Sequence, residues 1–136
     1  MAPTDVVPLL LQACPSAKVA WDAHVAWWGG ESAGSYNDAA VFVEHIVESY
    51  RDGRVSEFPA FFALVERAIV EGDSLTLPLA TIGLIETMQI VASHERFGPS
   101  VFEPWLGTES RKHWVQIAAA WDGASSLADM IRKEKS

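Results

Sequence analysis

Apolar residues recur at helical spacing along most of the chain, and the longest such run extends from residue 75 to residue 97. One set of apolar residues in it follows the three-to-four-residue steps of a single helix face: Leu75, Leu79, Ile82, Ile85, Met88 and Ala92. Other apolar residues, including Leu84 and Val91, lie outside this face. The pattern therefore predicts a central helix that other helices cover on two or three sides.

Other segments show the same periodicity and end near glycine, proline or capping residues. They cover residues 5–13, 15–28, 37–50, 56–72, 101–106 and 108–122. A last amphipathic turn, with Leu127, Met130 and Ile131, follows a predicted break at Asp122 and Gly123. No segment alternates in the manner of a strand. We expect an all-α fold, a compact bundle of seven to eight helices forming a single domain over residues 1–136.

The segment from about residue 56 to residue 97 forms the clearest local unit, a helix, an acidic turn and a second apolar helix. This order is typical of one HEAT-like antiparallel helical hairpin. Because Pro78 must lie in the first turn of the second helix, Thr76 is its predicted N-cap. Gly83 lies in the middle of that helix, where a close approach by a neighbouring helix would explain the missing side chain.

The same segment resembles a family of small bacterial helical proteins to which no activity is assigned. The resemblance rests on EFPAFFALVERAIVEGDSLTLPLATIGLIETMQ (residues 57–89), on FEPWLG (residues 102–107) and on Trp114. It implies a bacterial cytoplasmic protein, of the kind encoded by small accessory or immunity genes. It implies no catalytic residue.

The chain has 18 acidic and 10 basic residues, and their distribution is uneven. Residues 1–110 carry 15 acids and 5 bases, a net charge of −10, whereas residues 111–136 carry 3 acids and 5 bases, a net charge of +2. Nucleic acid is not an expected partner, because its phosphates require clustered lysine and arginine. A basic protein partner suits the acidic part.

The single cysteine, Cys14, cannot form an intramolecular disulfide, which fits a reducing cytoplasm. The N-terminal segment lacks the positive charge of a signal peptide, and we expect that no apolar run reaches transmembrane length. We therefore predict a cytoplasmic protein that contacts neither nucleic acid nor a membrane.

Catalytic and metal-binding motifs are weak. The chain contains no Glu-x-x-His pair, which di-metal helical bundles need, and no phosphate-binding glycine motif. Solvated or capped carboxylates are favoured over a metal site, and we predict no cofactor and no catalytic residue. Glu86 on the central helix would need a partner such as Arg67 if its face is buried.

An acidic row on the third helix, Glu44, Glu48 and Asp52, is the strongest candidate for a binding site. Together with Trp27 and Trp28 at the end of the second helix, it could dock a basic partner. The favoured interpretation is a non-catalytic binding protein of the immunity or antitoxin type that neutralises a basic toxin. Two alternatives stay open. One is a small helical enzyme or a ligand-binding or metal-binding bundle with a pocket near His24, His45 and Glu86; the other is a homodimeric scaffold.

Overall fold

In the computed structural model, helices follow one another along the chain, and residues 1–135 contain no strand. The structure describes the backbone of residues 1–135 and the side chains of residues 1–121. Helix α1 is Pro3–Ala13, and a 3-10 turn at Pro15–Ala17 leads into α2, Lys18–Trp27. Helices α3 and α4 are Ser35–Arg51 and Phe58–Glu71, and α5 is Thr76–Ser93. A 3-10 helix, Pro99–Trp105, precedes α6, Thr108–Lys135. The predicted all-α fold is confirmed.

Helix α5 is the centre of the packing, as predicted, because α3, α4 and α6 all lie against it. Its middle part, Leu79–Glu86, is a π-helix, in which backbone hydrogen bonds span five residues. Fully buried residues on α5 recur at intervals of four, a spacing between those of α-helix and π-helix: Thr76, Ala80, Leu84, Met88 and Ala92.

The predicted buried face of α5 is therefore wrong at two positions. Leu75 is 69% exposed and Ile82 is 49% exposed, whereas the other four predicted positions are buried. Leu75 precedes the first residue of α5, and Ile82 lies in the π-helix, whose turns are wider than those of the ordinary α-helix that the prediction assumed. Helix α3 approaches Gly83 closely, as expected. A Cβ atom at residue 83 would lie 3.2 Å from the Tyr36 ring of α3.

Asp73 caps α5, so the prediction of Thr76 as the cap is also wrong. The Asp73 carboxylate accepts hydrogen bonds from the backbone N–H groups of Leu75 (3.0 Å) and Thr76 (2.8 Å). The Thr76 hydroxyl instead donates to the carbonyl oxygen of Met1 (2.9 Å). Helices α4 and α5 are in contact across this turn. Their likeness to a HEAT repeat stays a prediction.

Aromatic side chains join α3, α4 and the 3-10 helix into one core cluster. Phe102 of the 3-10 helix lies within 6.3 Å, between ring centroids, of aromatic rings from each of these neighbours: Tyr50, Phe58, Phe62 and Phe97. Buried aromatic rings remove large apolar areas from water. This cluster fixes the loop between α3 and α4 against the rest of the protein.

The last helix differs from its prediction. It continues without a break through Asp122 and Gly123 to Lys135. Trp114 is buried against the core, whereas Trp121 is 47% exposed. The side chains of Leu127, Met130 and Ile131, which were expected to form a final apolar turn, lie outside the described residues.

Helix α5 is also the one helix in residues 1–135 with the length and composition of a membrane-crossing segment. The sequence expectation that no apolar run reaches this length was therefore too strict. Half of the helix is buried inside the protein (50%), and the core helix of a soluble protein meets the same criterion. The fold is compatible with a soluble protein.

Candidate functional site

The acidic row lies on the outer face of α3, where Glu44, Glu48 and Asp52 are all exposed. Asp52 forms an ion pair with Arg54 (2.9 Å), and the neighbouring Arg51 pairs with Glu95. Among residues 1–121, no ion pair involves Glu44 or Glu48. Glu44 and Glu48 are therefore the two carboxylates of the row whose charge no ion pair neutralises.

Helix α2 lies on the surface and fully buries none of its side chains. Trp27 is 85% exposed, and Val19, two turns earlier, is nearly as exposed. Trp28 is partly covered and meets His24 edge to face, with ring centroids 6.4 Å apart. An exposed tryptophan of this kind is a typical anchor of a protein interface.

The predicted binding residues do not converge on one spot. Helix α2 runs antiparallel to α3, because Ser16 contacts His45 whereas His24 contacts Asp38. The two tryptophans thus lie near the beginning of α3. Asp52 is 14 residues beyond Asp38, or about 21 Å along the helix axis at 1.5 Å per residue. The five residues form an elongated strip, with Glu44 nearest to its middle.

His24 is a packed, hydrogen-bonded histidine. Its Nε2 atom lies 2.8 Å from an Asp38 carboxylate oxygen, and both side chains are largely covered. The Trp21 ring packs on one side, with ring centroids 5.4 Å apart. The arrangement fixes the end of α2 on the beginning of α3.

His45 belongs to a different cluster, which includes two residues that the sequence analysis did not identify. Its Nε2 atom lies 2.7 Å from the Ser16 hydroxyl oxygen, and the Ser16 hydroxyl also contacts the Glu57 carboxylate. The backbone N–H of Ser16 donates to the second oxygen of Glu57 (3.2 Å). Because the hydroxyl has one proton and donates it to Glu57, His45 must donate its Nε2 proton to Ser16.

Burial sets the protonation of the groups around this cluster. Burial lowers the pKa of His45 below its ordinary value, although the nearby Glu57 carboxylate acts in the opposite direction. Burial, followed by the same carboxylate, raises the pKa of the Cys14 thiol to about 12. His45 is therefore neutral at pH 7, and Cys14 is an unreactive thiol.

Ser16, His45 and Glu57 have the residue types of a catalytic triad but not its connections. In a triad, the histidine accepts the serine proton and the carboxylate holds the opposite ring nitrogen. Here the carboxylate binds the serine directly, and the histidine donates to it. The cluster ties the turn before α2 to α3 and to the start of α4.

Residues 30–34, Gly-Glu-Ser-Ala-Gly, match the G-x-S-x-G nucleophile motif, which the sequence interpretation missed. The motif works in a strand–turn–helix context, whereas here it lies in the loop between α2 and α3. The Ser32 hydroxyl accepts a hydrogen bond from the Gly34 N–H (3.2 Å). Ser32 and Asp38 line one cavity of about 320 Å³, yet within residues 1–121 no hydrogen bond joins Ser32 to His24.

A second cavity, of about 460 Å³, lies beside the His45 cluster. Ser16 and Glu57 form part of its wall, together with Ile46 and Ser49 of α3 and Phe58 of α4. Such a volume is typical of small-molecule sites. The two histidines therefore adjoin different cavities through their hydrogen-bond partners.

Glu86 lies on the π segment of α5 and is half-buried. The suggested partner, Arg67, instead forms an ion pair with Glu71 on its own helix (2.6 Å). Within residues 1–121, no three histidine, cysteine or carboxylate side chains come close enough together to hold a metal ion.

Glu66, another carboxylate of α4, holds the beginning of α6. It accepts hydrogen bonds from the backbone N–H groups of Glu109 (3.0 Å) and Ser110 (2.8 Å), and from the Ser110 hydroxyl (2.8 Å). Burial raises its pKa, but these hydrogen bonds outweigh burial and hold the pKa below the ordinary 4.5. Glu66 is therefore a structural residue.

These features define an all-helical protein with an exposed tryptophan on α2 and exposed carboxylates on the neighbouring α3. Residues 7–122 match a domain of unknown function, DUF7674, and the chain belongs to that family. Neither a curated protein nor a solved structure matches the chain. The family match includes Glu57, Glu66 and the whole strip.

Proposed function

We propose that the protein is a non-catalytic binding protein whose partner is a basic protein. The observation that carries this proposal is the 85% exposure of Trp27 on a helix that buries no side chain fully. Leaving a large aromatic surface in water is unfavourable, and an interface would cover it.

Charge supports a basic partner. Glu44 and Glu48 lie exposed on the helix next to α2 and take part in no ion pair with described residues. Complementary charges across an interface accelerate association and select the partner. Asp52 is a weaker member of the strip, since Arg54 already neutralises it.

In its finer form, the proposal describes a bacterial cytoplasmic protein of the immunity or antitoxin type that neutralises a basic toxin. The supporting observations are the resemblance in residues 57–89 and the net charge of −10 in residues 1–110. Covering the active surface of a toxin requires no chemistry from the inhibitor.

A pull-down of the tagged protein from its native lysate tests the proposal, with mass spectrometry of the eluted proteins. We expect one basic partner that is retained at low salt and weakened by moderate salt, because salt screens exposed charges. Retention of a partner whose binding does not depend on salt would contradict the role of the acidic strip.

With the partner in hand, Trp27→Ala is expected to weaken binding by about tenfold or more, as loss of a hot-spot anchor does. Trp121→Ala removes another exposed tryptophan, on α6, and is the matched control. A Glu44, Glu48 and Asp52 charge-reversal triple should abolish the salt dependence. Unchanged affinity of both variants would remove the strip from the binding surface.

A second candidate function, a small helical enzyme or a ligand-binding or metal-binding bundle, is favoured by one observation. The cavity of about 460 Å³ adjoins the hydrogen-bond partners of His45. His24 and Glu86, the other residues of that hypothesis, do not line it. A thermal-shift screen of small molecules, with metal analysis of the purified protein, tests this candidate; sizing chromatography tests the homodimer.

A further inference from the structure

The cavity beside Ser16 has one negative group in its wall, the carboxylate of Glu57. An ionised carboxylate has about four acceptor positions. Ser16 fills two of them, one through its backbone N–H and one through its hydroxyl. The carboxylate can therefore still accept hydrogen bonds from a ligand.

A second polar group in the wall, Ser49, is held almost out of solvent, at 5% exposure. Among residues 1–121, no hydrogen bond holds its hydroxyl, and no buried side-chain oxygen lacks a partner, so this hydroxyl is open to the cavity. A ligand atom in the cavity can therefore bond to it. Ser49 of α3 and Glu57, the residue before α4, are the polar contacts that the proposal uses.

The remaining wall is mainly apolar. Ile46 and Phe58 are core residues whose small remaining surface faces the cavity. Val55, in the loop between α3 and α4, forms another part of the wall. An aliphatic chain would replace water along this surface at a gain of about 25 cal/mol per Å².

The one basic group at the cavity does not neutralise Glu57. Arg54 forms its ion pair with Asp52 (2.9 Å), and its side chain is mostly in solvent. His45, on the other side of Ser16, donates to the hydroxyl and is neutral at pH 7. The negative charge inside the cavity is thus available to a positively charged ligand.

We propose that this cavity binds an aliphatic primary ammonium group, with the charged end at Glu57 and Ser49 and the chain along Ile46 and Phe58. The ammonium group has three donors and no acceptor, which matches the acceptor oxygens of Glu57 and Ser49. It has two sources, a small alkylamine or the lysine side chain of a protein. The inference rests on the second candidate function, ligand binding, and is independent of the acidic strip.

Titration of the ¹⁵N-labelled full-length protein tests the proposal by NMR at pH 7 and low salt. The probes are n-butylamine for a free amine, and lysine blocked at both backbone ends for a protein side chain. We expect saturable shift changes at the backbone amides of residues 53–58. n-Butanol has the same chain without the charge and should bind at least about tenfold more weakly, as loss of a charge-assisted contact predicts.

The two amine probes distinguish the sources. Tighter binding of n-butylamine assigns the site to a free amine, and tighter binding of blocked lysine assigns it to a protein side chain; both support an ammonium site. Equal binding of n-butanol, or no shift with either amine, overturns it. A ligand of another class found in the thermal-shift screen would keep ligand binding as a function and overturn the ammonium assignment.

Variants assign the contacts. Glu57→Gln keeps the shape and one acceptor but removes the charge, so amine affinity should fall by about tenfold. Ser49→Ala leaves the Ser16 contacts intact and should reduce affinity by about threefold, which keeps the test decisive if Glu57→Gln folds poorly. Glu31→Gln removes an exposed charge from the loop after α2 and is the matched control. Unchanged affinity in both cavity variants would contradict the proposal.

Discussion

Glu57, the residue before α4, and Glu66, within α4, each reach the beginning of another helical segment, yet their surroundings differ. Glu66 accepts three hydrogen bonds from residues 109 and 110, and Gly107 packs directly against it. Glu57 accepts two from Ser16 and faces a cavity of about 460 Å³. A carboxylate enclosed by hydrogen bonds and packing therefore holds the fold, whereas one with open acceptor positions can also bind a ligand.

The largest expected effect is that of Glu66→Ala. It leaves the first N–H groups of α6 without their acceptor, and loss of hydrogen bonds to a charged group should lower the free energy of unfolding by about 2 to 3 kcal/mol. Urea denaturation measures it. Glu71→Ala is the control, since it removes an exposed carboxylate of the same helix and should cost no more than about 0.5 kcal/mol. Equal losses would show that Glu66 is not the anchor of α6.

Gly107→Ala should cause the next largest loss of stability. Its Cβ would lie 2.5 Å from a Glu66 oxygen that three hydrogen bonds hold in place, so we expect a loss of about 1 to 2 kcal/mol. The same change in the Glu66→Ala background should cost much less, because the obstructing carboxylate is gone. A double-mutant cycle measures this coupling. Additive losses would mean that the Gly107 effect arises elsewhere.

Glu57→Gln should be less destabilising than Glu66→Ala, with a loss of about 1 kcal/mol, because glutamine retains one acceptor and residue 57 borders an open cavity. Ser16→Ala removes only the hydroxyl, so its loss of stability should be smaller than that of Glu57→Gln. Both are measured by urea denaturation of the full-length protein. A loss at Glu57 as large as that at Glu66 would erase the distinction between the two carboxylates.

The pH dependence of stability should separate the wild type from Glu66→Gln. The folded pKa of Glu66 lies below 4.5, its ordinary value, so its contribution is fully present above pH 4.5. That contribution is lost as the pH falls through the folded pKa, since the unfolded chain then binds more protons. Unfolding free energies between pH 6 and pH 3 should therefore decline more steeply in the wild type. Parallel curves would contradict this role.

Trp27→Ala should have the smallest effect on stability. The side chain is almost fully in solvent, and such substitutions usually change the free energy of unfolding by no more than about 0.5 kcal/mol. A thermal unfolding curve measures it. A large loss would place Trp27 in the core, and the tenfold loss of partner affinity expected above would then have an indirect cause.

The sequence was a good guide to the helices, because periodic apolar residues leave a local signal that survives packing. It placed α5 at the centre of the packing, which the structure confirms. It failed inside α5, where the exposed Ile82 had been assigned to the buried face. No local sequence pattern predicts a π-helix, because its geometry depends on the neighbouring helices against which it packs.

The candidate cavity was less predictable for a different reason. His45 was a candidate from the start, but its connection to Glu57 passes through Ser16, and these two residues are 41 positions apart in the chain. Neither residue belongs to a motif, and their meeting depends on the packing of α2 against α3. The role of Glu66 was equally hard to predict, since its contacts to residues 109 and 110 span more than 40 positions in the chain.

The π segment of α5 also bears on how members of the family should be aligned. A π turn holds about one more residue than an α turn over the same span. A relative that lacks one residue between positions 79 and 86 could therefore form an ordinary α-helix there and keep both flanks of the helix in place. For DUF7674 sequences, a single-residue gap inside this helix would mark an exchange of π for α geometry, with Asp73 and Ala92 still equivalent on its two sides.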